Sequence, residues 1–524
     1  MGMYVNPGSR AFEKAVNSEI YVDKTGLIEY LNSVVNTEQS FICISRPRRF
    51  GKTMGMNMLA AYYDCTVDAA SVFNGLSIIA DRKTFDAHAN KYIVIKLEMT
   101  KLSQGLTTIG ELIAHIKTVI TRDLFRIYPR LDYLDKDSLQ DTMYDVYSQT
   151  GKQFVILIDE WDSVIRERQH DTEGHKQYLD FLRYWLKNQD YVALAYMTGI
   201  LPVKKYGKHS ALNMFREFSM EDPWKLAEYV GFTSDEVLEL CERYDMDYQN
   251  CKAWYNGYSF PYAKEIYSPW SVVEACKRGR MGNYWNKTET YEALKVYISM
   301  NFDGLKEIVL RLMAGERQQI ETGSFVNDMT TFACVDDVLT LLVHLGYLAY
   351  DIEKKEVFIP NNEIRQEFAN SVQTMEDMTV VAKAIRASEM LLEATLNGDA
   401  TAVATAIEAA HLETSHLQYN DENALSYTVG LAYYTAKRKY TVVRELPAGK
   451  GFADLTFIPR PNHADLPPMI IELKWDNTAE TAIAQIKNKK YAGALQGYGK
   501  VLLVGISYDK KTREHSCVIE EPVL

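Results

Sequence analysis

No stretch of the sequence reaches the roughly 18 consecutive apolar residues that a membrane-spanning helix needs, so no membrane partner is expected. The opening MGMYVNPGSRAFEKAV lacks the apolar core of a secretory signal, which predicts a cytoplasmic chain. Cysteine is sparse. The seven residues, Cys43, Cys65, Cys241, Cys251, Cys276, Cys334 and Cys517, include no Cys-x-x-Cys pair. That spacing offers no thiolate metal cluster and suits a reducing compartment. Positive charge is not in excess: 58 Lys and Arg stand against 70 Asp and Glu, a net charge of −12. The chain therefore cannot coat nucleic acid through its overall charge, although a local basic groove stays open to it. What is present fits a globular protein, with 47% hydrophobic and 24% charged residues. At 524 residues it is too long for one ordinary domain.

A glycine is missing as well. Gly51-Lys52-Thr53, within FICISRPRRFGKTMGMNML, ends like the phosphate-binding pattern G-x-x-x-x-G-K-[ST]. The pattern's first glycine falls at Arg46, and Pro47 follows it. The flanks nonetheless suit a phosphate loop. Ser40 to Ser45 is a short strand-forming run, and Thr53 to Asp64 has helical spacing, with Met54, Met58 and Ala61 on one side. Backbone N–H groups at such a helix start face an anion, and the helix dipole favours it. Lys52 is placed to reach the β- and γ-phosphates, and Thr53 to ligate Mg²⁺.

A GKT alone arises often by chance, so a second signal matters. QFVILIDEWDSVI runs through five apolar residues, Phe154 to Ile158, into Asp159-Glu160. This reads as a buried parallel strand with two carboxylates at the end where α/β sheets bind ligands. Asp159 would hold Mg²⁺, directly or through water, and Glu160 would polarise the attacking water. The competing reading is a core strand that merely ends in acids. A third strand, Tyr191 to Ile200, puts Thr198 at another strand end, as a γ-phosphate sensor or as part of a Thr-Gly turn. Arg46, Arg48, Arg49 and Lys52 crowd seven positions. Their planar forks could replace backbone contacts to phosphate. Alternatively, Arg48 and Arg49 pair with Asp23 or with acids of a neighbouring domain.

YVDKTGLIEYL (Tyr21 to Leu31), SRPRRFGKTM, ILIDEWD, MTGILPV and WYNGYSF (Trp254 to Phe260) together resemble the AAA-ATPase-like domain abundant in anaerobic bacteria. The resemblance spans about residues 1 to 280 and makes Arg46 an expected letter. It implies a P-loop fold with ATP as ligand, bound by Arg46, Arg48, Arg49, Phe50, Gly51, Lys52, Thr53, Asp159 and Thr198. ATPases of this type often complete their site with a neighbour's arginine, so a homo-oligomer is allowed.

From about Phe215 to Ile320 the spacing is mostly helical, with Ser234 offering an N-cap to an acidic first turn. NGYSF reads as a turn of the lid. Between Thr330 and Asn370 a helix (Cys334 to Leu345), Gly346, the strands YLAYDI and EVFIP, and a helix after Asn361 suggest a winged-helix-like module. Its expected role is packing and relaying state rather than gripping DNA. His344, among leucines, reads as a core residue. Glu376 to His411 is an Ala-rich helical connector.

The last quarter changes class. YTVVRE, FADLTFI and MIIELKW read as three consecutive strands. Glu472 and Lys474, two apart on the third, share a face, and Asp454 joins them if the second and third strands pair. Two carboxylates and an ammonium suit Mg²⁺-assisted phosphodiester chemistry. Lys474 would orient water or stabilise developing charge. E-x-K alone is very common, and on that motif alone a surface salt bridge is the better reading; Asp454 in the preceding strand and the helix order raise the alternative. The helix Thr478 to Leu495 carries Gln485, Lys487, Lys489, Lys490 and Tyr491, able to meet a phosphate backbone.

GKGFADLTF, IIELKW and AIAQIKNKKYAGAL resemble the PD-(D/E)XK nuclease superfamily over about Leu417 to Ser507. Its core runs helix, three strands, helix, strand, and its first helix often supplies a Glu; Glu422 in NDENALSYTVGLAYY matches that place. The resemblance implies metal acids Glu422, Asp454 and Glu472, catalytic Lys474 and accessory Gln485, with Mg²⁺ or Mn²⁺. Phe452 departs from the arginine more usual at its position.

The expected fold is thus an α/β multidomain chain: a P-loop NTPase parallel sheet, a helical and winged-helix-like middle, and a C-terminal restriction-endonuclease-like α/β domain. The expected boundaries are 1–215 for the ATPase-like domain and 216–325 for the lid. They continue with 326–372 for the winged-helix-like module, 373–412 for the connector and 413–524 for the nuclease-like domain. The expected function is ATP-gated, Mg²⁺-dependent cleavage of nucleic acid, DNA ahead of RNA. The alternative is a non-cleaving ATP switch that uses the nuclease fold only for binding.

Overall fold

The computed structural model describes residues 2–203, 212–285, 294–298, 302–313, 315–326, 332–373, 379–413, 422–433, 435–436, 439–448, 451–489, 495 and 500–521. It divides into two compact units: Met1–Leu312 with Arg317–Phe368, and Met313–Glu316 with Ala369–Leu524. Among the described residues no helix is long and apolar enough to cross a membrane.

The first unit is built on five strands: β1 (Phe41–Ser45), β2 (Ile93–Glu98), β3 (Phe154–Asp159), β4 (Val192–Gly199) and β5 (Arg216–Phe218). All neighbours are parallel, in the order β2-β3-β4-β1-β5. Every residue of β3 and β4 is buried, which is why their sequences are unbroken apolar runs rather than alternating ones. This order slots β4 between β1 and β3. Ser45 lies opposite Gly199 and Ile158 opposite Met197, so three strand ends finish side by side.

Helix α1 (Lys52–Tyr63) starts directly after β1's loop. Gly51, at φ +87°, makes the left-handed turn that a side chain would strain. Met58 and Ala61 are buried as the spacing predicts, but Met54 is 46% exposed. It sits in the first turn of the helix.

The region read as mostly helical also holds short strands. Two or three residues carry no legible periodicity. β5 is one such piece, and Phe232–Thr233, Tyr258–Phe260 and Ala263–Tyr267 form a small antiparallel sheet. NGYSF is therefore a turn and a strand together. Beyond it come α2 (Val335–His344), a hairpin of Ala349–Asp351 and Glu356–Phe358, and α3 (Asn362–Gln373). This is the helix–hairpin–helix of a winged-helix-like module, with Gln318–Gln319 added as a third strand. Its core is Val338, Leu339, Leu341, Leu342 and Val343. His344 is wholly buried, with Nε2 3.0 Å from Glu221 Oε1 and its ring stacked on Phe325.

In the second unit α4 (Glu422–Ala432) precedes a mixed sheet of β6 (Tyr440–Ala448), β7 (Gly451–Pro459), β8 (Met469–Trp475), β9 (Leu502–Asp509) and β10 (Glu514–Glu520). Only β8 and β9 are parallel, and α5 (Ala479–Asn488) is the crossover that parallel pairing demands. Leu455, Phe457, Ile471, Leu473, Val504 and Ile506 fill one core. On the other side Ile470 and Leu503 pack with Ile483 and Ile486 of α5. Strand alternation thus turns Glu472, two residues after Ile470, towards α5. This unit is a restriction-endonuclease-like α/β fold.

Candidate functional sites

At the first site the lysine is folded into its own loop. Lys52 Nζ donates to the carbonyl oxygens of Arg46 (2.8 Å) and Pro47 (2.7 Å). Burial pushes the ammonium down to about 8, against the pull of Asp159, Asp162 and Glu160. Thr53, in the first turn of α1, donates to Asp159 Oδ2 at 2.6 Å. Thr198, carried to the same point by β4, donates to Asp159 Oδ1. Both oxygens of Asp159 are therefore held by hydroxyls contributed by two different elements. A hydroxyl and a carboxylate at adjoining strand and helix ends, beside a lysine, suit a cation-bearing phosphate.

Glu160 lies one residue past β3, in left-handed backbone at φ +52°. Its Oε2 accepts from Thr100 Oγ1 and lies 3.9 Å from Arg166 Nη2. Arg166 also pairs with Asp162 at 2.9 Å, and Asp162 accepts from the amides of Ile200 and Leu201. Sequence reasoning passed over both residues. Asp162 anchors the chain leaving β4, and Arg166 offsets the acids. Lys96 was missed too: it bonds Asn57 Oδ1, and burial lowers its ammonium while Asp159 opposes that shift. A lone lysine inside IVIKLE was the signal available.

The arginines differ from one another. Arg46 is wholly buried, and its Nη1 donates to the carbonyls of Ser45, Phe218 and Ser219 at 2.9 to 3.0 Å. Its guanidinium lies 5.7 Å from the Phe260 ring, and burial lowers it to about 10. Although expected to contact nucleotide, it faces inward and ties β1 to β5. Arg49, at φ +70°, lies over Trp270 at 4.7 Å. Arg48 is half-buried and held by contacts of its own. Phe50 is buried edge-on against Tyr258 and Trp285. Arg46→Ala should cost about 2–4 kcal/mol in a denaturant melt, from three orphaned carbonyls and a cavity.

The second site sits on the α5 face of the second sheet. Leu455 pairs with Ile471, which sets Asp454 across from Glu472, and Asp454 Oδ2 accepts from the Leu473 amide at 2.8 Å. Glu472 is 1% exposed. Its Oε1 accepts from Gln485 on α5 and lies 3.4 Å from Lys474 Nζ. Its Oε2 is buried with no hydrogen-bond partner among the described residues. Burial, then the charge of Asp454, push Glu472 up to about 7. Lys474 also donates to the Leu473 carbonyl at 2.9 Å. An orphaned, charge-averse carboxylate facing a second carboxylate fits a divalent cation. Among the described residues no third His, Cys, Asp or Glu joins them. Glu422 opens α4, but its side chain lies outside the described residues, as do Lys490, Tyr491 and the Phe452 side chain. Lys487 is exposed and pairs with Glu520.

One glycine sets this geometry. Gly505 on β9 lies in register with Glu472. A Cβ there would strike the Ala479 carbonyl and come within 3.1 Å of Ala482 Cβ and Ile483 Cγ1. Its absence lets α5 lie close enough for Gln485 to reach Glu472. Gly505→Ala should destabilise the protein by about 1–3 kcal/mol in a denaturant melt, as overpacking does.

A parallel sheet with a lysine-bearing loop, and a mixed sheet that sets the buried Glu472 across from Asp454, define a P-loop ATPase-like fold with an appended nuclease-like fold. Comparison with known families agrees. Residues 8–207 match the AAA-ATPase-like family, described as "Predicted AAA-ATPase", and residues 422–517 match the PD-(D/E)XK nuclease superfamily. The chain is 22% identical over 512 residues to an uncharacterized protein in the vnfD 5′ region of Azotobacter chroococcum mcd 1, covering 94% of this chain and 93% of that one. Among solved structures it is similar to the ORC2 protein of Aeropyrum pernix (ADPNP-ADP complexes), at TM-score 0.30 and 11% identity over 70% of this chain and 97% of that one. It is also similar to Cdc6p of Pyrobaculum aerophilum, at TM-score 0.24 and 9% identity over 68% and 97%.

Proposed function

We propose that the first unit binds and hydrolyses ATP, and that its nucleotide state gates a Mg²⁺-dependent nuclease in the second unit that cuts nucleic acid, DNA ahead of RNA. The observation that carries the nuclease half is the Glu472 carboxylate, buried with one orphaned oxygen across from Asp454 and beside Lys474. On the ATPase side, Lys52 exchanges its two loop carbonyls for phosphate oxygens. Thr53 and Asp159 are the residues that would hold Mg²⁺, Thr198 orients Asp159, and Glu160 orients the attacking water. Arg46 serves as a brace, so Arg46→Ala leaves the salt dependence of ATP binding unchanged.

On the nuclease side Asp454 and Glu472, with Glu422 from α4, are the residues that would hold the metal. When bound, the cation polarises the phosphodiester and lowers the pKa of a water. Lys474 orients that water and stabilises developing negative charge, while Gln485 fixes the Glu472 rotamer. The test is a cleavage assay on single- and double-stranded DNA and RNA with Mg²⁺ or Mn²⁺, with and without ATP. Wild type should cut at a rate that responds to ATP, and Lys474→Ala should lose at least 100-fold. Equal, negligible cutting by both proteins on every substrate would leave the non-cleaving switch standing instead.

A further inference from the structure

The tip of the phosphate loop is gripped by the middle region of the first unit. Pro47 packs on Gly346, where an added Cβ would come 2.7 Å from Pro47 Cγ and 3.0 Å from Trp285. The Tyr258 hydroxyl donates to the Gly346 carbonyl at 2.6 Å. Phe50 meets Tyr258 and Trp285 with ring centroids 5.4 and 6.5 Å away. Arg49 Nη1 donates to the Tyr284 carbonyl at 3.4 Å. Three loop residues thus rest on one short segment, Asn283 to Trp285, and its surroundings.

That segment is itself held by carboxylates from inside the protein. Glu363 is wholly buried on α3. Its Oε1 accepts from the amides of Tyr284 (2.7 Å) and Trp285 (2.9 Å), and its Oε2 accepts from Ser271 Oγ (2.8 Å). Glu367, one turn further along α3 and also buried, accepts from Asn283 Nδ2. Two buried carboxylates one turn apart are costly unless their hydrogen bonds secure something. Here they secure the surface on which the phosphate loop rests.

We propose that Glu363 is a positioning residue for nucleotide binding: through the Tyr284 and Trp285 amides it holds the strap that sets the shape of the loop from Pro47 to Phe50. The proposal rests on ATP binding at Lys52. Lys52 is bonded to the Pro47 carbonyl in the structure, so a nucleotide that draws the lysine away alters the residue that touches Gly346. The strap then senses the occupied loop, and α3 carries the change to the rest of the winged-helix-like module.

Binding of a non-hydrolysable ATP analogue to the full chain tests this, in wild type, Glu363→Gln and Glu363→Ala, by calorimetry and by hydrogen exchange of the peptide spanning Asn283 to Trp285. The Gln variant keeps an oxygen for the two amides and should bind within about threefold of wild type. The Ala variant should bind at least tenfold more weakly. In wild type the analogue should change exchange at Tyr284 and Trp285 at least threefold. Binding by wild type with unchanged exchange, or equal affinities in Glu363→Ala and wild type, overturns the strap alone. Equal losses in both variants overturn the role of the acceptor geometry. Failure of wild type to bind the analogue overturns the ATP reading and the strap with it.

Discussion

Lys52→Ala is expected to weaken ATP binding by at least 100-fold, about 3 kcal/mol, the scale of a charge-assisted contact to phosphate. Calorimetry on the purified chain measures it. The change also orphans the Arg46 and Pro47 carbonyls that Lys52 now satisfies, so a small drop in melting temperature should accompany it. The wild-type lysine adds a pH signature. Burial holds it at about 8 in the free protein, and a bound phosphate would raise it again. The bound state then holds the proton more tightly than the free state. Affinity is therefore full below about pH 8 and falls as pH rises through it, by at most about tenfold per pH unit. Near pH 8, binding should take up protons, visible as a dependence of the calorimetric heat on buffer ionisation enthalpy. Lys52→Ala should show neither effect.

Glu472→Gln should abolish metal-dependent cutting and, without metal, stabilise the protein above neutrality. The sign follows from the raised carboxyl, at about 7 when folded. Below the ordinary carboxylate range both states keep the proton and nothing is lost. Between that range and pH 7 the unfolded chain gives up its proton while the folded one retains it, so stability falls with rising pH. Above pH 7 the folded protein carries the full cost, roughly 3 kcal/mol, which glutamine escapes. Metal-free melts should thus show the variant gaining on wild type from pH 5 to pH 8. Conversely, Mn²⁺ should raise the wild-type melting temperature more at pH 8 than at pH 6, because below pH 7 it competes with a proton. An equal Mn²⁺ shift in wild type and variant would remove Glu472 from the metal site.

The strands that carry the chemistry were legible because burial on both faces leaves an apolar run: Phe154 to Ile158 announces β3, and Met469 to Ile471 opens β8. Their neighbours were less so. β5 is three residues long, and pairing beside β1 rather than periodicity defines it. The inward turn of Arg46 could not be read from SRPRRFGKT, since its carbonyl partners at Phe218 and Ser219 lie far along the chain. Glu363 and Gly505 escaped for the same reason. Each is an ordinary letter locally, and only the packing of α3 on the strap, or of α5 on β9, gives it a task.

In the first site Lys52 bonds two carbonyls of its own loop and Asp159 accepts from two hydroxyls. The consequence is kinetic. Nucleotide binding at Lys52 as proposed exchanges these internal bonds for phosphate contacts, so capture should be a two-step process with a unimolecular opening. Observed association rates should climb with ATP at first and then level off at the opening rate. That plateau, rather than diffusion, would set how quickly the protein responds to a rise in ATP.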